Sequence, residues 1–204
     1  MNIPIIYEDS WLLIVNKPSG LLTIPAPEKQ GFTLLKILND GLKMKNQGYR
    51  LHPCHRLDKQ TSGLIIFSKG KSTQKKMMQA FKEKKINKTY LAFIDGMMPK
   101  NRGLIRNPIR GRKALTSYQV LKRNKDFSLV KVKPLTGRKN QIRIHFRQIG
   151  HPILGEDRFA FRRDFKIKAK RLCLHAQGLD FLHPVTSQPV HLQADLPEYF
   201  KRFL

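Results

Sequence analysis

A hairpin pattern in the second half of the chain constrains the fold more than any other feature. Two runs of strand-like composition, 114–122 and 127–133, flank a turn signal of Asn, Lys and Asp at 124–126, which is typical of a β-hairpin. In the second run Val130 and Val132 alternate with lysines. This period of two predicts one buried face and one solvated, basic face, as in an antiparallel sheet.

Other segments predict the remaining elements. Apolar runs bounded by turn residues indicate further strands at Trp11–Val15, Leu21–Ile24, Ile65–Phe67, Lys88–Ile94, Leu172–Ala176 and Gln188–Gln193. Helical spacing indicates helices from Phe32 to about Gly41, from an N-cap at Ser72 to about Lys84 with Met77, Met78 and Phe81 on the apolar side, from Gln141 to Ile149, and after a capping signature at Asp195. We therefore expect an α+β fold, a mainly antiparallel mixed sheet with flanking helices and loops around a central catalytic cleft, in a single domain over residues 1–204.

The charge of the chain indicates its partner. Forty Lys and Arg residues against 14 Asp and Glu residues give a formal net charge of +26 over 204 residues, which favours a polyanion such as nucleic acid. No apolar run approaches the roughly 20 residues that span a bilayer, and the N-terminus lacks the pattern of a signal peptide. With only Cys54 and Cys173, we expect a reducing compartment, the cytoplasm. Cys54 is either a packing residue or a reactive thiol.

One acidic residue lies in a basic turn. The stretch 55–64 reads His-Arg-Leu-Asp-Lys-Gln-Thr-Ser-Gly-Leu, and it places Asp58 between Arg56 and Lys59, just before a strand. Nearby cations keep a carboxylate ionised, and a tight turn can orient it, as a nucleophile or general base requires. Acids beside basic residues are also common as surface ion pairs. The segment alone leaves both interpretations open.

The same stretch resembles the catalytic motif of the RluA-type pseudouridine synthases, in which His-Arg-Leu-Asp is followed by a short spacer and Thr-Ser-Gly-Leu. Two further segments resemble that family's pattern in the right order: Lys88–Ala92, similar to Lys-x-Tyr-x-Ala, and Gly137–Arg143, similar to Gly-Arg-x-x-Gln-x-Arg. Asn140 stands where the family often has His. The resemblance extends from Tyr7 to about Pro184, so it covers most of the chain.

The resemblance implies three catalytic residues. Asp58 would be the catalytic carboxylate and Arg143 the cation that pairs with it. Tyr90 would be an aromatic side chain on which a flipped base stacks, where stacking contributes ~1–3 kcal/mol. Without the resemblance, Arg143 reads as one more exposed cation, and Tyr90 as a strand residue half in the core.

Substrate contacts are implied at three more positions. Arg56 could fill the gap left by an extruded nucleotide or hold its phosphate, with a structural ion pair as the alternative. Ile142 and Leu174 correspond to apolar residues that the family places against the uracil ring, although periodicity alone assigns them to the core.

The implied activity is a cofactor-free isomerisation of uridine to pseudouridine within RNA, after the uridine has been flipped out of its stack. The histidines form no zinc-ligand pattern, so no metal is expected. The expected partner is large-subunit rRNA or tRNA, in a stem-loop, bound by a monomer whose basic loops 99–113 and 158–171 follow the RNA backbone. The chain begins almost directly at the catalytic pattern, which leaves no room for a small N-terminal RNA-binding domain. An RNA-binding module without activity and a basic ribosomal-type protein remain as alternatives.

Overall fold

The structure is a computed structural model that describes residues 2–25, 32–160, 165 and 167–204. The described residues form strands and helices in an antiparallel α+β arrangement. The strands are β1 (Ile5–Glu8), β2 (Leu12–Lys17), β3 (His52–Pro53), β4 (Ser62–Ser68), β5 (Asn87–Asp95), β6 (Arg102–Ile105), β7 (Thr116–Arg123), β8 (Phe127–Pro134), β9 (Leu174–Leu182) and β10 (Pro189–Gln193). The helices are α1 (Leu34–Met44), α2 (Lys71–Lys82), α3 (Gln141–Gln148) and α4 (Glu198–Lys201).

The first of two compact units comprises Met1–Asn87 and Gly178–Asp195. Its central pairing is between β2 and β4, with β1 on the other side of β2, β3 beside β4, and β10 paired with the end of β9. Ile14 and Ile66 lie opposite each other in β2 and β4 and share a core with Met77 of α2. This packing fixes β4, and therefore the loop that leads into it.

The second unit comprises Lys88–Gln177 and Leu196–Leu204. Its strands follow the order β5-β8-β7-β6, and every pairing is antiparallel. Val130 and Val132 of β8 are fully buried whereas Lys133 is exposed, so the predicted hairpin with one apolar and one basic face is confirmed. Helix α3 packs on this sheet, with Phe146 in the core.

The predicted α+β class is confirmed, and the differences from the sequence prediction lie at the ends of elements. Helix α1 continues past Gly41 to Met44, and α2 begins after Gly70, so that Ser72 lies inside its first turn. Met78 is 53% exposed whereas Met77 is fully buried, because neighbouring residues of a helix point about 100° apart around its axis. Two compact units are not by themselves two independent domains, so the single domain over residues 1–204 stays a prediction.

Three further segments differ from the prediction. The basic segment 99–113 is not a plain loop, since it contains β6, and no strand is assigned at Leu21–Ile24, where Leu22 forms an isolated bridge with Thr33. Helix α4 is preceded by Pro197 with no capping side chain. No helix of the described residues is long and apolar enough to cross a membrane.

Candidate active site

The turn that presents Asp58 is held by hydrogen bonds on both sides. The Thr61 N–H donates to the Asp58 carbonyl at 3.1 Å, and the buried Thr23 hydroxyl donates to the carbonyl of Leu57 at 3.1 Å. Gly63, the second residue of β4, has φ +113°, a conformation that residues with side chains rarely adopt. Asp58 is half-buried in this turn and Arg56 is exposed. The turn predicted from Thr61 and Gly63 therefore orients Asp58.

A buried lysine, Lys17, also supports this turn, although none of the sequence motifs contains it. Lys17, at the end of β2, is 0% exposed. Its ammonium donates to the carbonyls of Pro18 at 2.9 Å, Leu21 at 2.8 Å and Lys59 at 3.2 Å. Burial lowers the pKa of Lys17 to about 7, against the opposing attraction of the Asp58 carboxylate. Lys17 thus connects the segment after β2 to the turn that carries Asp58 by hydrogen bonds to both.

Two more hydrogen bonds tie the segment after β2 to the turn. The Gly20 N–H donates to the Lys59 carbonyl at 2.8 Å, and the Ser19 hydroxyl donates to the Gln60 carbonyl at 2.7 Å. The sequence pattern marked this segment only as the place where a strand ends. Its signal was a lysine at the end of a strand that begins with four apolar residues, where an ordinary lysine would be solvated.

Cys54, four residues before Asp58, is a buried free thiol whose pKa burial raises to about 12, against a weaker opposing hydrogen bond to Ser68. A thiol in that state is not a nucleophile near neutral pH. Of the two interpretations of Cys54, the structure supports the packing residue.

Three predicted site residues of the second unit belong to its core or border it. Ile142 and Leu174 are 6% and 3% exposed and lie in the hydrophobic core. Tyr90 of β5 is half-buried against the same core, opposite Val132 of β8. These positions agree with the core alternative read from periodicity. Contacts of all three residues with a uracil ring stay predictions.

Arg143 is buried, so its interpretation as an exposed surface cation is wrong: only 5% of it is exposed. Its Nε donates to Glu156 Oε2 at 2.7 Å, and its Nη2 donates to Glu156 Oε1 at 2.6 Å. Asp157 Oδ1 lies 3.5 Å from the same Nη2. The sequence analysis did not identify Glu156, which is 0% exposed.

The electrostatics of Glu156 follow from this pairing. Burial alone would raise the pKa of its carboxyl, but the hydrogen bonds and charge of Arg143 and the backbone N–H groups of Arg158 and Phe159 outweigh burial, and the pKa is lowered. Glu156 is therefore a carboxylate, and Arg143 is an ionised partner in a two-bond, planar contact.

The start of helix α3 is fixed by Gln141, a polar residue of the Gly137–Arg143 motif. Gln141 accepts the Thr136 hydroxyl at 2.7 Å and donates to the Leu115 carbonyl at 2.8 Å and to the Thr116 hydroxyl at 2.9 Å. Asn140, at the N-cap, has φ +56°, a left-handed conformation that asparagine tolerates better than most residues. Asn140 thus has a backbone role at the position where the family often has His.

A basic hairpin turn lies within the segment 99–113, for which the sequence predicts a loop. Ile109 and Arg112 exchange two backbone hydrogen bonds across Arg110 and Gly111, both with positive φ, as in a two-residue turn between strands. Ile109 is buried, whereas Arg110 and Arg112 are exposed. His145 of α3 hydrogen-bonds the carbonyl of Asn107 at 3.0 Å. In the other predicted basic loop, 158–171, residues 161–164 and 166 lie outside the described residues.

The predicted site residues are divided between the two units: Asp58 and Arg56 belong to the first, and Tyr90, Ile142, Arg143 and Leu174 belong to the second. The pairing of Arg143 with Asp58 stays a prediction. Within the described ranges, no group of three or more His, Cys, Asp or Glu residues is placed to hold a metal ion.

Comparisons with known proteins identify the family of this chain. A sequence model described as RNA pseudouridylate synthase matches residues 11–148, more than half of the chain. The dual-specificity RNA pseudouridine synthase RluA of Yersinia pestis is 36% identical over 209 residues, covering 94% of this chain and 98% of that protein. The ribosomal large subunit pseudouridine synthase C of Buchnera aphidicola subsp. Schizaphis graminum is 32% identical, covering 98% of this chain and 69% of that protein.

Solved structures give the same class. Human RNA pseudouridylate synthase domain containing 1 superposes with a TM-score of 0.75 at 27% identity, covering 96% of this chain and 84% of that one. Human RNA pseudouridylate synthase domain containing 4, at 24% identity, reaches a TM-score of 0.80 over 97% of this chain and 90% of that one, and shows the fold alone. The fold is that of a pseudouridine synthase.

The chain belongs to the RNA pseudouridylate synthase family, as an RluA-type member. It is an isomerase of the class that converts uridine in RNA to pseudouridine. The resemblance found in the three sequence motifs is confirmed.

Proposed function

We propose that this chain isomerises specific uridines of structured RNA, in large-subunit rRNA, tRNA or both, with Asp58 as the essential residue. The observation that carries the proposal is the position of Asp58: half-buried in a hydrogen-bonded turn, with the buried Lys17 ammonium attracted to its carboxylate. A cation close to a carboxylate favours its ionised form, and a turn fixed by backbone hydrogen bonds limits the directions in which it can point. Both properties suit a residue that must attack or deprotonate.

The proposed reaction begins when the target uridine leaves its stack and enters the site. Asp58 then attacks, or otherwise promotes cleavage of, the bond between C1′ of the ribose and N1 of uracil. The freed uracil rotates and its C5 bonds to C1′, which releases any bond formed by Asp58. A base removes the C5 proton, and N1, left with an electron pair, takes up a proton. Because the product is an isomer of the substrate, no atom or electron has to be supplied from outside, and no cofactor is required.

Five further residues receive roles by their match to the family pattern. Tyr90 is proposed to stack on the flipped base, with Ile142 and Leu174 against the uracil ring. Arg143 is proposed as the cation that pairs with Asp58. Exposed Arg56 is proposed to occupy the space that the flipped nucleotide leaves.

The RNA partner is proposed to be a stem-loop bound by a monomer. The exposed side chains of Arg110 and Arg112 project from a hairpin whose backbone is held by α3, so little ordering is needed when they meet phosphates. The relative from Yersinia pestis is named a dual-specificity enzyme, which supports action on more than one RNA. Both cysteines are free and buried, which supports a reducing compartment such as the cytoplasm.

The proposal is tested first by Asp58→Asn, which removes the charge and keeps the shape. We expect RNA binding to persist and pseudouridine formation to fall below detection, because the neutral amide can neither attack nor accept a proton at the required rate. The measurement is tritium release from C5-labelled unmodified RNA, with binding measured separately. Asp40→Asn, at a carboxylate that forms a half-exposed pair with Lys36, is the matched control and should behave as wild type. Substantial turnover by the Asp58 variant would reject the role of this residue.

The substrate is identified by mapping pseudouridines in rRNA and tRNA from cells with and without this protein. Positions that lose the modification only when the protein is absent, and regain it on treatment with purified protein, are its targets. An RNA-binding module without activity, favoured by the net charge of +26 alone, would bind RNA and change no position.

A further inference from the structure

We infer that Glu156 is a positioning residue of the active site, which acts by holding the guanidinium of Arg143 in one orientation. The inference rests on the proposed function, since it needs Arg143 to act on the catalytic carboxylate. It assigns a role to a residue that none of the three sequence motifs contains.

The contact fixes the guanidinium plane and leaves a second edge. Glu156 takes the Nε and Nη2 side of Arg143 through two bonds of 2.7 and 2.6 Å. Two parallel bonds between planar groups fix both position and tilt, as one bond to a flexible ammonium would not. Because a guanidinium has five N–H donors, its Nη1 edge can serve a second carboxylate at the same time.

Glu156 is itself held in place. Its Oε1 accepts the backbone N–H of Arg158 at 2.9 Å and that of Phe159 at 3.3 Å. Its own N–H donates to the Ile153 carbonyl at 3.0 Å. The Phe159 ring lies 5.2 Å from Arg143 Cζ, so one face of the guanidinium is covered by an aromatic side chain. The orientation of Arg143 is therefore fixed through Glu156 by the backbone N–H groups that hold this carboxylate.

The turn before Glu156 is locked to its neighbours. The N–H of Leu154 donates to the Phe93 carbonyl at 2.8 Å, and the N–H of Cys173 donates to the Leu154 carbonyl at 2.8 Å. Gly155 has φ +78°, and a Cβ added there would lie 2.0 Å from the Arg171 carbonyl oxygen. Such a turn holds Glu156 in register with β5, the strand that carries Tyr90.

The energetics argue for a role beyond stability. A buried ion pair recovers its desolvation cost only with good geometry, and well-packed apolar residues often stabilise a fold as well or better. Asp157, at 3.5 Å from Nη2 and 51% exposed, adds little because solvent screens it. A buried ion pair with two hydrogen bonds, formed by the arginine that is proposed to be catalytic, is the arrangement expected where a charged group must be held in one orientation.

The test uses the full chain and a C5-tritiated unmodified RNA transcript that the wild type converts. We expect Glu156→Gln to lower the single-turnover rate at saturating RNA by about 10- to 100-fold, as a small misplacement of a catalytic group does. The Kd for the transcript should change by less than about 3-fold, because Arg143 is proposed to pair with Asp58 and not to bind a phosphate of the RNA. Glu156→Asp, which keeps the charge with a shorter reach, should recover part of the rate. Glu198→Gln, at an exposed carboxylate of the same unit, should match wild type.

Thermal unfolding of each variant separates positioning from folding. Positioning predicts that the rate defect of Glu156→Gln persists at a temperature where the variant is fully folded, and that Glu156→Asp lies between. A rate equal to wild type in the folded Glu156→Gln protein, or a defect that disappears on cooling, overturns the inference. If Asp58→Asn is inactive while Glu156→Gln is fully active, only this inference fails. If Asp58→Asn retains the wild-type rate, or the wild type converts no RNA, the proposed function fails and the role of Glu156 with it.

Discussion

Lys17 in the first unit and Arg143 in the second are both buried cations, and different groups compensate them. The Lys17 ammonium has three carbonyl acceptors within 3.2 Å and only the attraction of Asp58 to balance its charge. The Arg143 guanidinium has a carboxylate bound through two hydrogen bonds. Burial brings the pKa of Lys17 to about 7, whereas a guanidinium does not deprotonate in proteins.

The difference teaches what each cation can do. The Lys17 ammonium donates one N–H to each of three backbone carbonyls, so it ties these backbone segments together while it is protonated. A cation held by a carboxylate keeps its charge at any pH at which that carboxylate is ionised. Lys17 therefore fits a structural role under the Asp58 turn, and Arg143 fits a role that requires a permanent charge.

The largest effect in this comparison should come from breaking the carboxylate-bound pair. We expect Arg143→Met to lower the free energy of unfolding by ~3–5 kcal/mol, because Glu156 would remain charged and buried without its cation. Adding Glu156→Gln to that variant should restore part of the stability, since the unpaired charge is removed. Denaturant unfolding measures both.

The control for that prediction is Arg147→Met, on the same helix but at an exposed position, where a change within about 0.5 kcal/mol is expected. If Arg143→Met were no less stable than Arg147→Met, the buried pair would not contribute to folding as described.

A smaller effect should follow from removing the carbonyl-bound cation. Lys17→Met keeps the length of the side chain and withdraws the donor from the carbonyls of Pro18 and Leu21, which should cost ~1–3 kcal/mol of stability. The loss should be local, with faster hydrogen exchange at the Gly20 and Thr61 amides that brace the turn. Lys36→Met, at an exposed lysine of the same unit, should leave both amides unchanged. Unchanged exchange in the Lys17 variant would remove Lys17 from the support of the turn.

The smallest effect is the pH dependence, which should have the same sign at the two sites but fall in different pH windows. The folded pKa of Lys17 is about 7, below the ordinary value of 10.5, so between these values the unfolded chain binds more protons and stability rises with pH. The difference in stability between wild type and Lys17→Met should therefore increase from pH 7 toward pH 10. The pKa of Glu156 is lowered below its ordinary value of 4.5, so its contribution is present above that value and is lost as the pH falls further.

The measurement is denaturant unfolding of wild type, Lys17→Met and Glu156→Gln across this pH range. The advantage of wild type over Glu156→Gln should shrink below about pH 4.5 and stay constant above it. A difference curve for Lys17→Met that is flat from pH 7 to 10 would contradict the titration of this lysine.

The sequence predicted the parts of the fold that follow from local patterns. Alternation of Val130 and Val132 with lysines defined β8 because a strand places alternate residues on opposite faces. Thr61 and Gly63 marked the turn beside Asp58 for the same local reason. The end of α1 was missed because Gly41 lies inside the helix, where one glycine costs only about 1 kcal/mol relative to alanine and does not have to end it.

The parts of the site that escaped prediction depend on pairings between distant residues. Nothing near Arg143 in sequence signals a partner at Glu156, which follows a turn after the helix, so helical periodicity assigned the arginine to a solvated face. Lys17 was overlooked because its acceptors are backbone carbonyls, which carry no residue-type signal. Resemblance to a family identifies the residues of the family's motifs. Glu156 and Lys17 lie outside those motifs and are recognised only once burial and hydrogen bonds are known.

The close approach at Gly155 has a consequence for anyone who engineers this chain. Even alanine would bring a carbon within 2.0 Å of the Arg171 carbonyl oxygen and would force a left-handed backbone on a residue with a side chain. Two positions further on, Asp157 is half-exposed and can accept new side chains. Gly155 is therefore a position that tolerates no side chain and Asp157 one that does, and they flank Glu156, which binds Arg143 through two hydrogen bonds.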